Sequence, residues 1–296
     1  MGHCAVNTAS GISLKRRSGP FRVPEAGFIA PILLFLGVFF YWPLFEVLTL
    51  SVTEPRIGLQ NYEKLLFSGL IHEILWTTLR VTLLTTMASV GAGYLIAYAI
   101  VHATRRTQKL LLLLTILTFW MSITIRAAAW LILLRGNGLV NTFLMETGLI
   151  NAPLELSRNE LGVLIGITHI MIPIAALTIL ANLKGINANY VKAARSLGAS
   201  PWFAFWTVYL PISRPGLIGA SMIVFMFTLG FFITPSLLGG GRVIMVAEYI
   251  SVKTLFLSQF GEPAMLAAVL MAFVFLLLTI LGRFVNVMNM LSGRRL

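Results

Sequence analysis

The sequence predicts an all-α, polytopic membrane protein with six transmembrane helices and both termini in the cytoplasm. Three observations carry that expectation. Of the 296 residues, 58% are apolar and only 11% are charged, whereas a soluble domain carries about 25% charged residues. Six apolar stretches are long enough to cross about 30 Å of hydrocarbon as helices, the form in which a chain satisfies its own backbone in lipid. Lysine and arginine fall in short clusters between those stretches, richer on alternate sides. The net charge of +12 therefore reads as membrane orientation and not as a nucleic-acid surface.

The first span is expected at 28–50. Its flank, "KRRSGPFRVPEAGFIAPILLFLGVFFYWPLF", has an apolar run too long for a signal peptide and no small-residue cleavage site, so it reads as an uncleaved helix. The others are expected at 73–101, 108–134, 160–181, 216–238 and 263–288. This places Lys15, Arg16, Arg17, Arg22, Arg105, Arg106, Lys109, Lys184, Lys192, Arg195, Arg214, Arg283, Arg294 and Arg295 inside. Only Arg56, Lys64, Arg135, Arg158, Arg242 and Lys253 fall outside, which fixes the orientation. The chain divides into a cytoplasmic N-terminal segment (1–27), a six-helix transmembrane domain (28–291) containing a long inner loop (182–215), and a short tail (292–296). The outer segment 135–159 mixes turn residues with a short apolar helix and is expected along the outer interface.

The inner loop 182–215 is the most informative stretch. In "NYVKAARSLGAS", Tyr190, Ala193, Ala194 and Leu197 recur at helical spacing, with Lys192, Arg195 and Ser196 opposite. Gly198 supplies a helix stop, Ala199 follows, and Ser200 with Pro201 reads as an N-cap and first-turn proline. A second helix, "PWFAFWTVYLP", stripes Trp202, Phe205, Trp206 and Tyr209 on one side and is expected to end at Pro211.

"KAARSLGASPWFAFWTVYLP" resembles the EAA loop of inner-membrane permease subunits of binding-protein-dependent ABC importers, in which Glu-Ala-Ala is followed by Gly and then Ile-x-Leu-Pro. Ala193, Ala194, Gly198, Leu210 and Pro211 match it. Lys192 stands where the motif has Glu, and Val208 where it has Ile. The resemblance implies a coupling helix, carried by Lys192–Pro201 with Leu210 and Pro211, that sits in a cleft of a cytoplasmic ATPase. "FWMSITIRAAAWLILLRGNGLVNTFLMETGLI" (119–150) and "GFFITPSLLGGG" (230–241) look like the spermidine/putrescine branch of that family. The partners implied are a second, homologous permease, two ATPase subunits that bind ATP and magnesium, and a periplasmic binding protein, all at a bacterial inner membrane.

No catalytic site is expected in this chain. None of its lysines closes a G-x-x-x-x-G-K-[ST] phosphate loop, no nucleophile–base pair or metal-ligand spacing appears, and the single Cys4 forms no internal disulfide. "LLGGGR" (237–242) lies on the expected outer side, away from ATP. Polar residues inside spans are costly and are functional candidates by default. Glu46, Arg80, Arg126 and His169 form the expected set, with Glu46 a possible structural tie for Arg80 or Arg126. Pro173 should free the His169 carbonyl and Pro235 the Phe231 carbonyl, beside Thr228. The substrate pathway is accordingly expected to include Glu46, Arg80, Arg126, His169, Thr228 and Phe231.

A polyamine cargo fits the branch, but a route for ammonium groups should display carboxylates, and all ten acidic residues are Glu, with only Glu46 plainly within a span. The residues mildly favour a neutral, zwitterionic or anionic organic solute. The alternative to an ABC permease is an ion-coupled secondary transporter or channel, for which one Glu and one mid-span His are thin provision.

Overall fold

The structure is a computed structural model that describes residues 23–291. The expectations for Cys4, for most of the N-terminal segment 1–27 with Lys15, Arg16, Arg17 and Arg22, and for the tail 292–296 with Arg294 and Arg295 lie outside the described residues.

The described chain is helical throughout: α1 (Val23–Leu36), α2 (Trp42–Thr53), α3 (Gln60–Phe67), α4 (Gly69–His102), α5 (Arg105–Trp120), α6 (Ile123–Leu133), α7 (Leu139–Glu146), α8 (Glu160–Leu183), α9 (Asn189–Ser196), α10 (Pro201–Ala204), α11 (Leu210–Leu229), α12 (Ile233–Leu238), α13 (Val246–Leu255) and α14 (Gly261–Leu291). Five helical stretches are long and apolar enough to cross a membrane. A sixth is a broken pair, α5 and α6.

The chain separates into two compact units, Met1–Thr49 and Leu50–Leu296. In the first, α1 runs into α2 through a wide π-helical turn, Gly37–Tyr41, and the Trp42 N–H bonds the Gly37 carbonyl. Pro43 follows directly, so the widened turn spares its ring the usual clash with the preceding turn. The outward side chains here are almost wholly apolar, among them Ile32, Leu33, Phe39 and Trp42, as hydrocarbon-facing positions require.

In the second unit, α4, α8 and α11 pack around one core that includes Val81, Ala97, Ile100, Ile167, Ala175, Ile179, Ala220 and Val224. Lipid tails are as apolar as leucine, so close backbone approach drives this packing. Gly93 marks one such approach: a Cβ there would lie 2.7 Å from Ala175 Cβ and 2.8 Å from the Ala176 nitrogen. Hydroxyls in these helices turn back on their own carbonyls, as Thr78 does to Ile74, Thr86 to Thr82 and Thr228 to Val224 (2.7, 2.7 and 2.8 Å). With no water to serve them, this is the available partner. A smaller cluster joins Ile71, Ile74, Val246, Tyr249, Met265 and Leu266.

Three boundaries differ from the sequence expectation. The third span is not one helix: α5 ends at Trp120, Met121 and Ser122 are extended (ψ 139° and 133°), and α6 leaves at 95°. Hydropathy is unbroken across this point, so it carries no sign of the bend. Second, Pro211 does not end a helix. A π-helical turn at Phe205–Tyr209, with the Leu210 N–H on the Phe205 carbonyl, absorbs that proline as the other absorbs Pro43, and the helix continues from Pro201 to Leu229. Third, the fifth span stops at Leu229, not at 238; Gly230–Phe232 interrupts it and α12 starts afresh. Pro235 then sits in the first turn of α12, where its missing N–H costs nothing. It does not open a ladder at Phe231.

The loop 135–159 is held by buried Asn141, whose amide donates to the Arg135 and Leu154 carbonyls (both 3.0 Å) and accepts from the Leu154 N–H (2.8 Å).

Candidate functional site

The loop between α8 and α11 folds as a sharp elbow. Helix α9 stops because Gly198 takes a left-handed φ of +90°, a conformation that costs an L-residue with a side chain roughly 1–2 kcal/mol. A Cβ at Gly198 would meet nothing within 4 Å, so only the backbone demands glycine. The Ser200 hydroxyl accepts from the Phe203 N–H (3.2 Å) and Pro201 occupies the first turn, which restarts the helix. Stop, corner and restart are where the sequence put them.

The elbow presents its two sides differently. Tyr190, Ala193 and Leu197 point away from the chain, Leu197 being 90% exposed. Trp202, Phe203 and Trp206 are exposed on the restart helix. Ala194, Leu197, Gly198, Ala199, Ser200 and Phe203 surround an open concavity of about 610 Å³. On the other side Val191, Lys192, Arg195 and Pro201 line a second cleft. An ordinary surface helix buries its apolar stripe in its own core, and α9 leaves most of that stripe outside. Leu210 and Pro211, half-buried, open α11 just beyond the π-helical turn.

Arg80 and Arg126, both expected within spans, have separate partners. Arg80 on α4 pairs with Glu160, the first residue of α8, and Arg126 donates to a backbone carbonyl. Glu46 is exposed on α2, and its carbonyl accepts from the Thr49 hydroxyl (2.8 Å).

Arg126 and His169 come together. Arg126 is 4% exposed, and its Nη2 donates to the Met121 carbonyl at 3.0 Å, one of the carbonyls freed where α5 breaks. Its Nε and Nη1 are buried without an acceptor. One turn along α6, Trp130 Nε1–H donates to His169 Nδ1 at 3.2 Å, and the rings cross edge-on at 5.7 Å. Phe231 packs against the main core, and Thr228 is fully buried with its hydroxyl on the Val224 carbonyl. Sequence reasoning missed Trp130 and Glu160. The i, i+4 spacing of Arg126 and Trp130 was the available signal for the first; no pattern along the chain pairs Arg80 with Glu160, 80 residues away.

Among the described residues no group of His, Cys, Asp and Glu could hold a metal ion. On the side opposite the elbow, Glu248 reaches back from the first turn of α13 toward the Met245 N–H, half of a capping box. Burial pushes its carboxyl up to about 7, against the lowering effect of that hydrogen bond.

Residues 89–288 match the family model described as the binding-protein-dependent transport system inner membrane component. The spermidine/putrescine transport system permease protein PotB of Haemophilus influenzae is 30% identical over 66% of this chain and 68% of its own length. Its Escherichia coli counterpart is 29% identical over 69% and 74%. The inner membrane ABC transporter permease protein YdcU of Escherichia coli is 30% identical over 66% of each chain. Among solved structures, a chain of a bacterial ABC transporter involved in the import of the acidic polysaccharide alginate superposes with a TM-score of 0.69, at 20% identity over 92% of this chain and 96% of that one. A chain of the MetNI methionine ABC transporter gives 0.55, at 16% identity over 74% and 95%. These two likenesses show the fold.

Proposed function

The chain belongs to the binding-protein-dependent transport system inner membrane components, and from that premise we propose how it works. It is the permease subunit of an ABC importer, a multi-pass protein of the inner membrane, and its family is a transport component and not a catalytic one. Our reading places both termini and the elbow in the cytoplasm. The outward apolar face of Tyr190, Ala193 and Leu197, with the concavity around Gly198, seats on one of two ATPase subunits, which hold ATP and magnesium. A second, distinct permease of the same family completes the pathway, and a periplasmic binding protein delivers the cargo. Closure of the ATPases moves the elbow and with it the helix that starts at Pro201.

The observation that supports this most is the exposed apolar face of α9 beside a corner that only glycine adopts without strain. The test is Gly198→Val in the assembled transporter. Solute-stimulated ATP hydrolysis and uptake should fall at least tenfold while membrane insertion stays near the parent's and thermal stability falls only by the roughly 1–2 kcal/mol that a left-handed backbone costs a side chain, because the site is open and no neighbour is crowded. Parental uptake by that variant would sink the reading.

For cargo, the similarity to PotB supports a polyamine or related small organic solute. A second reading, an anionic or zwitterionic solute, is favoured by Arg126, whose Nε and Nη1 have no acceptor. Competition of uptake by unlabelled spermidine and by a dicarboxylate separates the two.

A further inference from the structure

Beside Val191, which packs α9 against the main core, the helix carries its two cations. Lys192 and Arg195 line a cleft of about 350 Å³, walled by Tyr98 and His102 at the end of α4, by Leu183 and Ile186 after α8, and by Phe205 and Tyr209. The aromatic wall is rigid: Tyr98 meets His102 at 4.1 Å and Tyr209 edge-on at 5.5 Å, and Phe205 stacks on Tyr209 at 6.0 Å. His102 is itself fixed through Nδ1 to the Tyr98 carbonyl at 2.9 Å. No carboxylate lines the cleft, and no ion pair among the described residues involves either cation. Two cations three residues apart on one helix repel each other, so this half-apolar, half-cationic space is suited to an anion with an apolar body.

Its position narrows the ligand. The cleft opens where α4 and α8 end, next to the exposed Trp202 and Trp206, and exposed indoles mark the level of lipid headgroups. We propose that the cleft binds the phosphate of an anionic phospholipid. Arg195 offers its guanidinium fork and Lys192 a point charge to the phosphate oxygens, while Val101, Leu183, Ile186 and the aromatic wall cover the glycerol and the first methylenes. Free phosphate would meet the cations and leave the apolar walls unused. The bound lipid would pin α9 to the ends of α4 and α8, making the elbow's position responsive to the anionic content of the bilayer.

The test uses the purified full-length chain in detergent and tryptophan emission, since Trp202 stacks on Phe205 at 6.5 Å. Phosphatidylglycerol with brominated chains should quench Trp202 and its neighbour Trp206 (ring centroids 5.5 Å apart) saturably, and Trp202→Phe with Trp206→Phe should remove that component while annular quenching of Trp76 and Trp120 remains. Brominated phosphatidylcholine should bind at least about tenfold more weakly. Lys192→Ala and Arg195→Ala should each weaken phosphatidylglycerol about tenfold; both side chains are exposed, so the melting temperature should not move. Equal quenching by the two lipids, or parental affinity in the double variant, would overturn the proposal. Displacement of the brominated lipid by inorganic phosphate at comparable concentration would overturn the lipid assignment in favour of a headgroup-only anion site.

Discussion

The Arg80 guanidinium on α4 is paired with the Glu160 carboxylate at the first position of α8, so an ion pair ties the start of one core helix to the flank of another. Glu160 also lies where a helix favours negative charge. The two side chains are 45% and 28% exposed, and solvent screens the pair accordingly. Arg80→Ala should therefore cost only about 0.5–1 kcal/mol in thermal unfolding. The swap of Arg80→Glu with Glu160→Arg should recover part of that and no more, since Arg would then sit at the positive end of α8. A double-mutant cycle measures both.

At Gly93, α4 lies directly against the α8 backbone. Because a Cβ would fall against Ala175 and the Ala176 backbone, Gly93→Val must separate the helices. It should destabilise by about 1–3 kcal/mol, the usual cost of overpacking, and lower expression of the membrane-inserted chain. Gly93→Val with Ala175→Gly should recover part of the melting temperature.

At the break in the third span, Arg126 holds the Met121 carbonyl with a charged donor. Arg126→Met should cost about 1.5–3 kcal/mol, because that carbonyl would be left unserved. Should Arg126 lie on the cargo route, Arg126→Lys would still cut uptake severely: it keeps the charge but loses the planar fork. A solute-uptake assay on variants matched for expression separates the structural loss from the functional one.

Glu248 makes stability depend on pH. Its folded value is raised to about 7 from 4.5, so between those values the unfolded chain has released a proton that the folded chain still holds. The contribution is complete below pH 4.5, falls as pH rises, and is gone above about 7; over that window the loss amounts to about 3 kcal/mol. Glu248→Gln should flatten this segment of the melting-temperature profile measured from pH 4 to 8, and should leave the parent less stable than the variant at pH 8.

The sequence made the elbow legible nearly residue by residue, because Gly198, Ser200 and Pro201 impose their geometry locally. Spans were legible as hydropathy. The bend at Met121–Ser122 was not, since hydropathy runs on across it and the Arg126–Met121 hydrogen bond that accompanies it leaves no pattern along the chain. Pro211 misled for the opposite reason: its local rule is sound, but a wider turn just before it removes the clash. The polar side chains were identified individually, yet their partners came from helices far apart in sequence, as with Arg80 and Glu160 or Trp130 and His169.

The wide turn at Phe205–Tyr209 leaves Pro201–Leu229 as one uninterrupted stretch of 29 residues, about 43 Å at helical rise. The stretch stays helical across that turn and across Pro211 and Pro215, so one element joins Ser200 at the elbow to Gly230, where the helix ends beside Thr228 and Phe231. Inserting one residue between Thr207 and Val208 would rotate the far end by about 100° relative to the near one. It would disconnect the two ends of the molecule without touching either.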